Sequence, residues 1–230
     1  MSRSLFEPPE LVLVAHGTRN ADGVHTISEL AAALTARLGP VRTAFVDVLG
    51  PNPAEVLADV SGPAVVVPAF LASGYHVRTD LPARIAESGH RHTVVAPALG
   101  PDPVLAAVMH ARLAEAGWRP GDVVVMAAAG SSDPVARREL LSAARMLADH
   151  VGEVHLGYVA TGAPNVRDVV RVLRTAGMRR IFIASYLLAP GLFHTRLHQC
   201  GATAVAGPLG VHRDIVDLIA RRFARVPAPA

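Results

Sequence analysis

Eight short apolar runs, rich in Val, Ile and Ala, alternate along the chain with longer segments of helical periodicity. The runs are LVLVAH (11–16), VRTAFVDV (41–48), AVVVPAF (64–70), HTVVAPAL (92–99), DVVVMAAA (122–129), VHLGYVA (154–160), RIFIASYLL (180–188) and ATAVAGPL (202–209). Continuous apolar strands joined by connections long enough for a crossover helix are typical of parallel sheets covered on both faces. The pattern therefore predicts an α/β fold with eight strands separated by helices.

The second half of the sequence repeats the first. With Ala15 matched to Ala128, an offset of 113, AFVDVLGPNPAEVL (44–57) aligns with GYVATGAPNVRDVV (157–170). PALGPDPVLAAVMHARL (97–113) then aligns with GPLGVHRDIVDLIARRF (207–223) at an offset of 110. Such self-similarity predicts two similar lobes, each a four-stranded parallel sheet flanked by helices, with a cleft between them. We predict an N-terminal lobe at residues 1–119 that carries the active site and a C-terminal lobe at residues 120–230, with WRPGD (118–122) as the linker.

The composition excludes several classes of protein. Hydrophobic residues make up 51% of the chain and charged residues 18%, which is typical of a packed domain rather than a disordered chain. The longest apolar window, 181–193, is interrupted by Pro190 and Gly191, and the N-terminal segment MSRSLFEPPE lacks an apolar stretch of signal-peptide length, so no membrane association is expected. Cys200 is the only cysteine, which excludes an intrachain disulfide and favours a cytoplasmic location.

The charge pattern indicates an anionic small-molecule partner. The formal net charge is +3, and every basic residue is Arg, a side chain that binds carboxylates and phosphates through two parallel hydrogen bonds. Codon bias is an alternative explanation, since the Arg residues are spread along the chain. Nucleic-acid binding is not expected, because aromatics total only 4% and no basic run with interleaved aromatics is present.

Three polar residues of the first lobe follow predicted strands. His16 ends the first strand, Asp47 ends the second, and His76 comes just after the third. In open parallel sheets the ligand lies outside the carboxyl ends of the strands, so these side chains should converge. Two imidazoles and a carboxylate suit divalent iron, cobalt or nickel and leave coordination positions open. A packed, non-functional histidine is the alternative for His16, although the adjacent Gly17 would expose its ring by allowing a tight turn.

These segments also carry a family resemblance. LVLVAHGTRN (11–20), AFVDVLGPNPAEVL (44–57), VPAFLASGYHVRTDLP (67–82) and LGPDPVL (99–105) together resemble the class II chelatases that act on sirohydrochlorin in sirohaem and cobalamin synthesis. The resemblance implies that His16 and His76 are the metal-handling and proton-accepting pair. It also implies that Asp47, where the family usually has Glu, is their acidic partner. The implied activity is insertion of Fe²⁺ or Co²⁺, with Ni²⁺ a further option, into sirohydrochlorin without an organic cofactor.

The resemblance further implies a carboxylate-rich substrate. Arg19, Arg78 and the main-chain N–H groups that open the helices after residues 20 and 78 are the predicted carboxylate-binding groups. For each Arg, a solvated surface charge is the alternative.

The second lobe departs from the pattern of the first. Ala129 replaces the strand-end His, Ala160 occupies the position of Asp47, and FHTRLH (193–198) stands where the His76 segment stood. We therefore predict a degenerate site in which His194 contacts the tetrapyrrole. His194 and His198 are four residues apart and could instead share a helix face and bind metal.

Two other functions remain open. A carrier of metal or tetrapyrrole would have the same site without turnover. A histidine phosphatase would have a similar HG doublet, but its chemistry needs Arg directly before the His, and Ala15 stands there. A duplicated chain needs no second subunit to form the cleft, so a monomer could carry the activity.

Overall fold

In the computed structural model, which describes residues 8–227, each of the eight apolar runs contains a strand. The strands are β1 Glu10–Ala15, β2 Val41–Phe45, β3 Ala64–Pro68, β4 Thr93–Val95, β5 Val123–Gly130, β6 Val154–Thr161, β7 Ile181–Tyr186 and β8 Ala204–Val205. All pairings between them are parallel, in the orders β2-β1-β3-β4 and β6-β5-β7-β8. The predicted α/β fold with two four-stranded parallel sheets is confirmed. Residues 1–7, including most of the N-terminal segment, and residues 228–230 lie outside the described residues.

Helices connect the strands in both repeats. They are α1 Ala21–Leu38, α2 Pro53–Ala58, α3 Leu81–Ser88, α4 Pro103–Glu115, α5 Pro134–Val151, α6 Val166–Thr175, α7 Leu192–Leu197 and α8 Arg213–Ala224, and a π-helical turn at His76–Asp80 precedes α3. Three helices begin at an Asn-Pro or Asp-Pro pair, where the side chains of Asn52, Asp102 and Asp133 each accept a hydrogen bond from an N–H of the first turn. Proline at the first helical position needs no N–H, so these pairs fix where the helices start.

The fourth strand of each sheet is shorter than the sequence predicts. In the first repeat the Ala96 N–H donates to the Val66 carbonyl, and Pro97 then follows. In the second repeat Ala206 donates in the same way to Ile183 before Gly207 and Pro208. Because proline has no N–H to donate, the ladder stops at these positions.

The two repeats share one hydrophobic core. The last helix of each repeat packs on a strand of the other: α4 contacts β7, and α8 contacts β3. The largest cluster of buried side chains accordingly joins Leu11 and Val67 of the first repeat to Met126 and Ile219 of the second. The predicted boundary near residue 119 falls in the turn between α4 and β5. Within residues 8–227, no helix is long and apolar enough to span a membrane.

Candidate metal-handling site

The carboxyl ends of both sheets open on one cavity of about 770 Å³. Its walls come from both repeats, since His16, Asp47 and His76 line it from the first and Ala129, Ala160 and His194 from the second. The three predicted chemical groups of the first repeat therefore reach one cavity. At the aligned positions of the second repeat, Ala129 and Ala160 provide only methyl groups.

His16 is placed by the end of the central strand. β1 ends at Ala15, and His16 is still bonded to the segment that follows β2, because the Asp47 N–H donates to the His16 carbonyl at 3.0 Å. Gly17 follows with φ of 98° and allows the chain to turn toward α1, whose first turn is capped by Asn20. His16 is therefore held directly after the central strand, at the rim of the cavity.

His76 approaches His16 from the loop that follows β3. It starts the π-helical turn, in which the N–H groups of Val77 and Arg78 both donate to the Gly74 carbonyl at 3.1 Å. The ring centroids of His16 and His76 lie 4.7 Å apart with an interplanar angle of 69°. An imidazole nitrogen binds a metal such as zinc at about 2.0–2.1 Å, so two rings at this separation can each direct a nitrogen to one ion.

A carboxylate orients the His76 ring. Nδ1 of His76 lies 3.0 Å from Oδ2 of Asp80, one helical turn away, and the other carboxylate oxygen faces Arg84 at 3.6 Å. An ionised carboxylate only accepts hydrogen bonds, so Nδ1 is the donor in this pair and Nε2 is the nitrogen that carries the lone pair when the ring is neutral. This is the carboxylate–histidine arrangement that commonly supports metal-binding imidazoles.

Sequence reasoning missed Asp80, although a signal was present. Asp80 lies four residues after His76 in GYHVRTDLP, a spacing that brings two side chains together on one helix face. Phe70 was also missed. Its ring is stacked on that of His76, with centroids 6.2 Å apart, and it lies 6.4 Å from the His16 ring.

Desolvation by the surrounding protein lowers the pKa of His16. The nearby His76 lowers this pKa further, while Asp47 and main-chain hydrogen bonds oppose the shift. A lowered pKa keeps the imidazole neutral at the pH of a cell, and only the neutral ring has a lone pair for a metal or a proton.

Asp47 lines the cavity but does not complete a three-ligand set. Its Oδ1 accepts the N–H of Val48 at 2.8 Å, within its own loop, and Val48 has an unusual positive φ of 67°. Among the described residues, no three His, Cys, Asp or Glu side chains are arranged so that they could hold a metal ion. Asp47 therefore acts on His16 here through its charge.

The predicted carboxylate-binding residues lie in different places. Arg19 lines the cavity, whereas Arg78 does not. Arg78 instead lies near Asp133, whose pKa is lowered mainly by main-chain N–H groups and further by the charge of Arg78. The helix expected to open after residue 78 begins at His76, so the N–H groups of Val77 and Arg78 are already bonded to Gly74. The helical turn thus starts two residues earlier than expected, and a carboxylate-binding role for the N–H groups after residue 78 stays a prediction.

His194 lines the cavity from the second repeat. Its Nε2 lies 3.2 Å from the Ala206 carbonyl, and its ring centroid is 5.0 Å from that of His198. Desolvation lowers the pKa of His194, His198 lowers it further, and the bond to Ala206 opposes the shift. The predicted pairing of the two rings on one helix face is therefore present, but Nε2 of His194 is occupied by the main chain.

The two parallel sheets around an inter-repeat cavity form a chelatase-like fold, and comparison with known proteins identifies the family. The CbiX family model matches residues 10–116 and again residues 123–226. The chain therefore belongs to the CbiX family, as the sequence motifs predicted.

Named relatives agree with this assignment. A sirohydrochlorin ferrochelatase of Priestia megaterium is 24% identical over 68% of the chain, and a sirohydrochlorin cobaltochelatase of Methanococcoides burtonii is 34% identical over 31% of the chain. The chain spans 65% and 60% of the lengths of these two relatives. SirB from Bacillus subtilis, solved with Fe³⁺, superimposes with a TM-score of 0.81 over 95% of both chains at 20% identity, which shows the same fold.

Proposed function

We propose that the protein is a sirohydrochlorin chelatase that inserts Fe²⁺ or Co²⁺ into its tetrapyrrole substrate, with Ni²⁺ a further option. The observation that carries the proposal is the His16–His76 pair, whose rings lie 4.7 Å apart at a cavity large enough for part of a macrocycle. The named relatives, a ferrochelatase and a cobaltochelatase, support the reaction class and leave both metals open. The single cysteine, Cys200, supports a cytoplasmic setting.

The chemistry of metallation matches these side chains. A metal that enters a tetrapyrrole exchanges its water shell for four pyrrole nitrogens, while two pyrrole N–H protons leave. His16, kept neutral by its lowered pKa, and His76, with Nδ1 bonded to Asp80, both offer a lone pair near the cavity. Each ring can hold the incoming ion and then accept a proton once the ion has left it. Two protein ligands bind less tightly than a closed four-ligand site, so the ion can pass to the macrocycle.

The mouth of the cavity suits a flat, anionic ligand. Val48, Tyr75 and Leu192 are large apolar residues that line it and remain exposed, at 45%, 62% and 60% of their full surface. Exposed apolar residues grouped at a cavity mark a binding surface, here for the faces of the macrocycle. Arg19 at the same mouth offers a bidentate partner for a substrate carboxylate.

Metallation kinetics test the proposal. Purified protein is mixed anaerobically with sirohydrochlorin and Fe²⁺ or Co²⁺, and the absorption change is compared with the spontaneous rate. Turnover above that rate supports a chelatase, whereas binding without acceleration would indicate a carrier and overturn the proposal. His16→Ala and His76→Ala should each lower the rate by about 100-fold, as expected when a positioned acid–base group is lost. His25→Ala, which removes an exposed histidine of α1 paired with Glu29, is the matched control and should leave the rate unchanged.

A further inference from the structure

The loop that carries His76 into the site is bound to the second repeat. We define the His76 loop as residues 71–75, between β3 and the π-helical turn. The hydroxyl of Tyr186, on β7, donates to the Leu71 carbonyl at 2.9 Å. The Ser73 N–H donates to the carboxylate of Glu139, on α5, at 2.5 Å. Both partners belong to the repeat that has lost the strand-end histidine.

The Tyr186 contact is tightly enclosed. Tyr186 is 2% exposed, and desolvation raises its pKa, with smaller contributions from Glu139 and Asp102. Its hydroxyl therefore stays protonated and can donate to the carbonyl. A Cβ on Gly100 would lie 2.2 Å from the Leu71 carbonyl oxygen and 2.4 Å from the Tyr186 hydroxyl, so only glycine leaves room for this bond.

Further contacts bring the second repeat against the same loop. Gly74 faces the start of α5, where a Cβ would come within 3.4 Å of Ser131 Oγ and 3.9 Å of Ala136 Cβ. Within the loop itself, the Gly74 N–H donates to the Ala72 carbonyl. Residues 71–74 of the loop form no strand or helix, so their position depends heavily on the side chains of the other repeat.

We propose that the second repeat serves the active site through Glu139 and Tyr186, two positioning residues that hold the His76 loop so that His76 reaches His16. The second repeat thus has no metal-handling groups at Ala129 and Ala160, but its side chains bind and position the His76 loop of the first repeat. This inference rests on the proposed function for its kinetic consequence. Whether Glu139 and Tyr186 hold the His76 loop in place can be tested without measuring metallation.

The test uses Glu139→Gln and Tyr186→Phe in the full chain. Asp217→Asn is the control for the first, because Asp217 forms an inter-repeat ion pair with Arg37 on α1, outside the cavity lining. Tyr158→Phe is the control for the second, because Tyr158 is buried on β6 of the same sheet and does not line the cavity. The readouts are hydrogen exchange of the 71–80 segment, Co²⁺ affinity of the protein alone, and kcat against KM for metallation.

Each test variant should show faster hydrogen exchange in segment 71–80 and bind Co²⁺ about 10-fold more weakly, as for other groups that orient a metal ligand. In metallation, kcat should fall while KM changes less. The controls should match the wild type in all three readouts. Unchanged exchange and Co²⁺ affinity in both test variants would overturn the inference. If wild-type protein does not accelerate metallation, the proposed function fails, and exchange and Co²⁺ affinity still decide whether the second repeat positions His76. Should Tyr186→Phe fail to fold, Glu139→Gln decides alone, since Glu139 is only partly buried.

Discussion

Gly17 lies directly over the main chain of Asp47. A Cβ at position 17 would stand 2.0 Å from the Asp47 carbonyl oxygen, and Gly17 has φ of 98°. This close approach of the two main-chain segments places His16 at the rim of the cavity with Asp47 beside it. Gly17 is therefore required by sterics as well as by its backbone conformation.

Gly17→Ala should destabilise the fold by about 3 kcal/mol, because strain from the positive φ adds to a collision with backbone that cannot move aside. Gly39→Ala isolates the first effect, since Gly39 has φ of 88° and a Cβ there would meet nothing within 4 Å. It should cost only about 1 kcal/mol. Urea unfolding of both variants measures the difference, and equal losses would show that the Asp47 contact is unimportant.

Asp80→Asn should weaken Co²⁺ binding and lower kcat by about 10-fold, because an amide orients the His76 ring less firmly than a carboxylate does. The change keeps the shape of the side chain. Glu87→Gln is the matched control, since Glu87 pairs with the same Arg84 at 3.1 Å but makes no contact with His76. Isothermal titration with Co²⁺ compares the variants. An equal loss of Co²⁺ affinity in Asp80→Asn and Glu87→Gln would assign the effect to Arg84 rather than to His76.

Much of this architecture could be read from the sequence, and the limits have physical causes. The apolar runs identified both sheets, because strands buried on two faces cannot tolerate polar residues. Strand-end positions identified His16 and Asp47, since the edge of a parallel sheet gathers them. The orientation of Asp47 could not be foreseen, because it depends on a local bond to the Val48 N–H.

Contacts between the repeats could not be predicted from the sequence either. Glu139 and Tyr186 lie 66 and 115 residues from their loop partners, and no periodicity encodes such pairs. Asp80 is different, because its four-residue spacing from His76 was visible in the sequence.

The His16 ring should stay neutral in mild acid. The lowered pKa of His16 means that the ring stays neutral as the pH falls below its ordinary value of about 6.5 and takes up a proton only at lower pH. The His16 ring itself should therefore take up its proton with a midpoint below about 6.5. A midpoint above that value, measured by an NMR titration of the ring assigned with His16→Ala, would contradict this prediction.

The same shift affects stability. Between the two pKa values of His16 the unfolded chain binds more protons than the folded one, so the free energy of unfolding falls as the pH decreases through this window. His194, whose pKa is also lowered, acts in the same direction. Urea unfolding as a function of pH should show this loss of stability starting at about pH 6.5, and His194→Gln should reduce the loss. Stability that rose on acidification through this range would contradict the assignment.

Arg222 joins the ends of the two repeats. Its guanidinium donates to the carbonyls of Ala98 and Leu99 and to the carboxylate of Asp102, and Arg112, at the aligned position of α4, donates reciprocally to the Leu209 carbonyl. Arg222→Ala should lower the free energy of unfolding by about 2 kcal/mol, because it leaves partly buried acceptors unpaired. Arg221→Ala, on the exposed side of the same helix, should change it by less than about 0.5 kcal/mol. Similar losses in both variants would argue against a specific inter-repeat contact.

Anomalous diffraction from crystals soaked with Co²⁺ locates the ion directly. We expect a single strong peak within bonding distance of one nitrogen of His16 and of Nε2 of His76, with both rings close to their positions 4.7 Å apart. The peak should disappear in His16→Ala and in His76→Ala. A peak at His194 and His198 instead, or no peak beside His16 and His76, would contradict the conclusion that these two imidazoles share the metal.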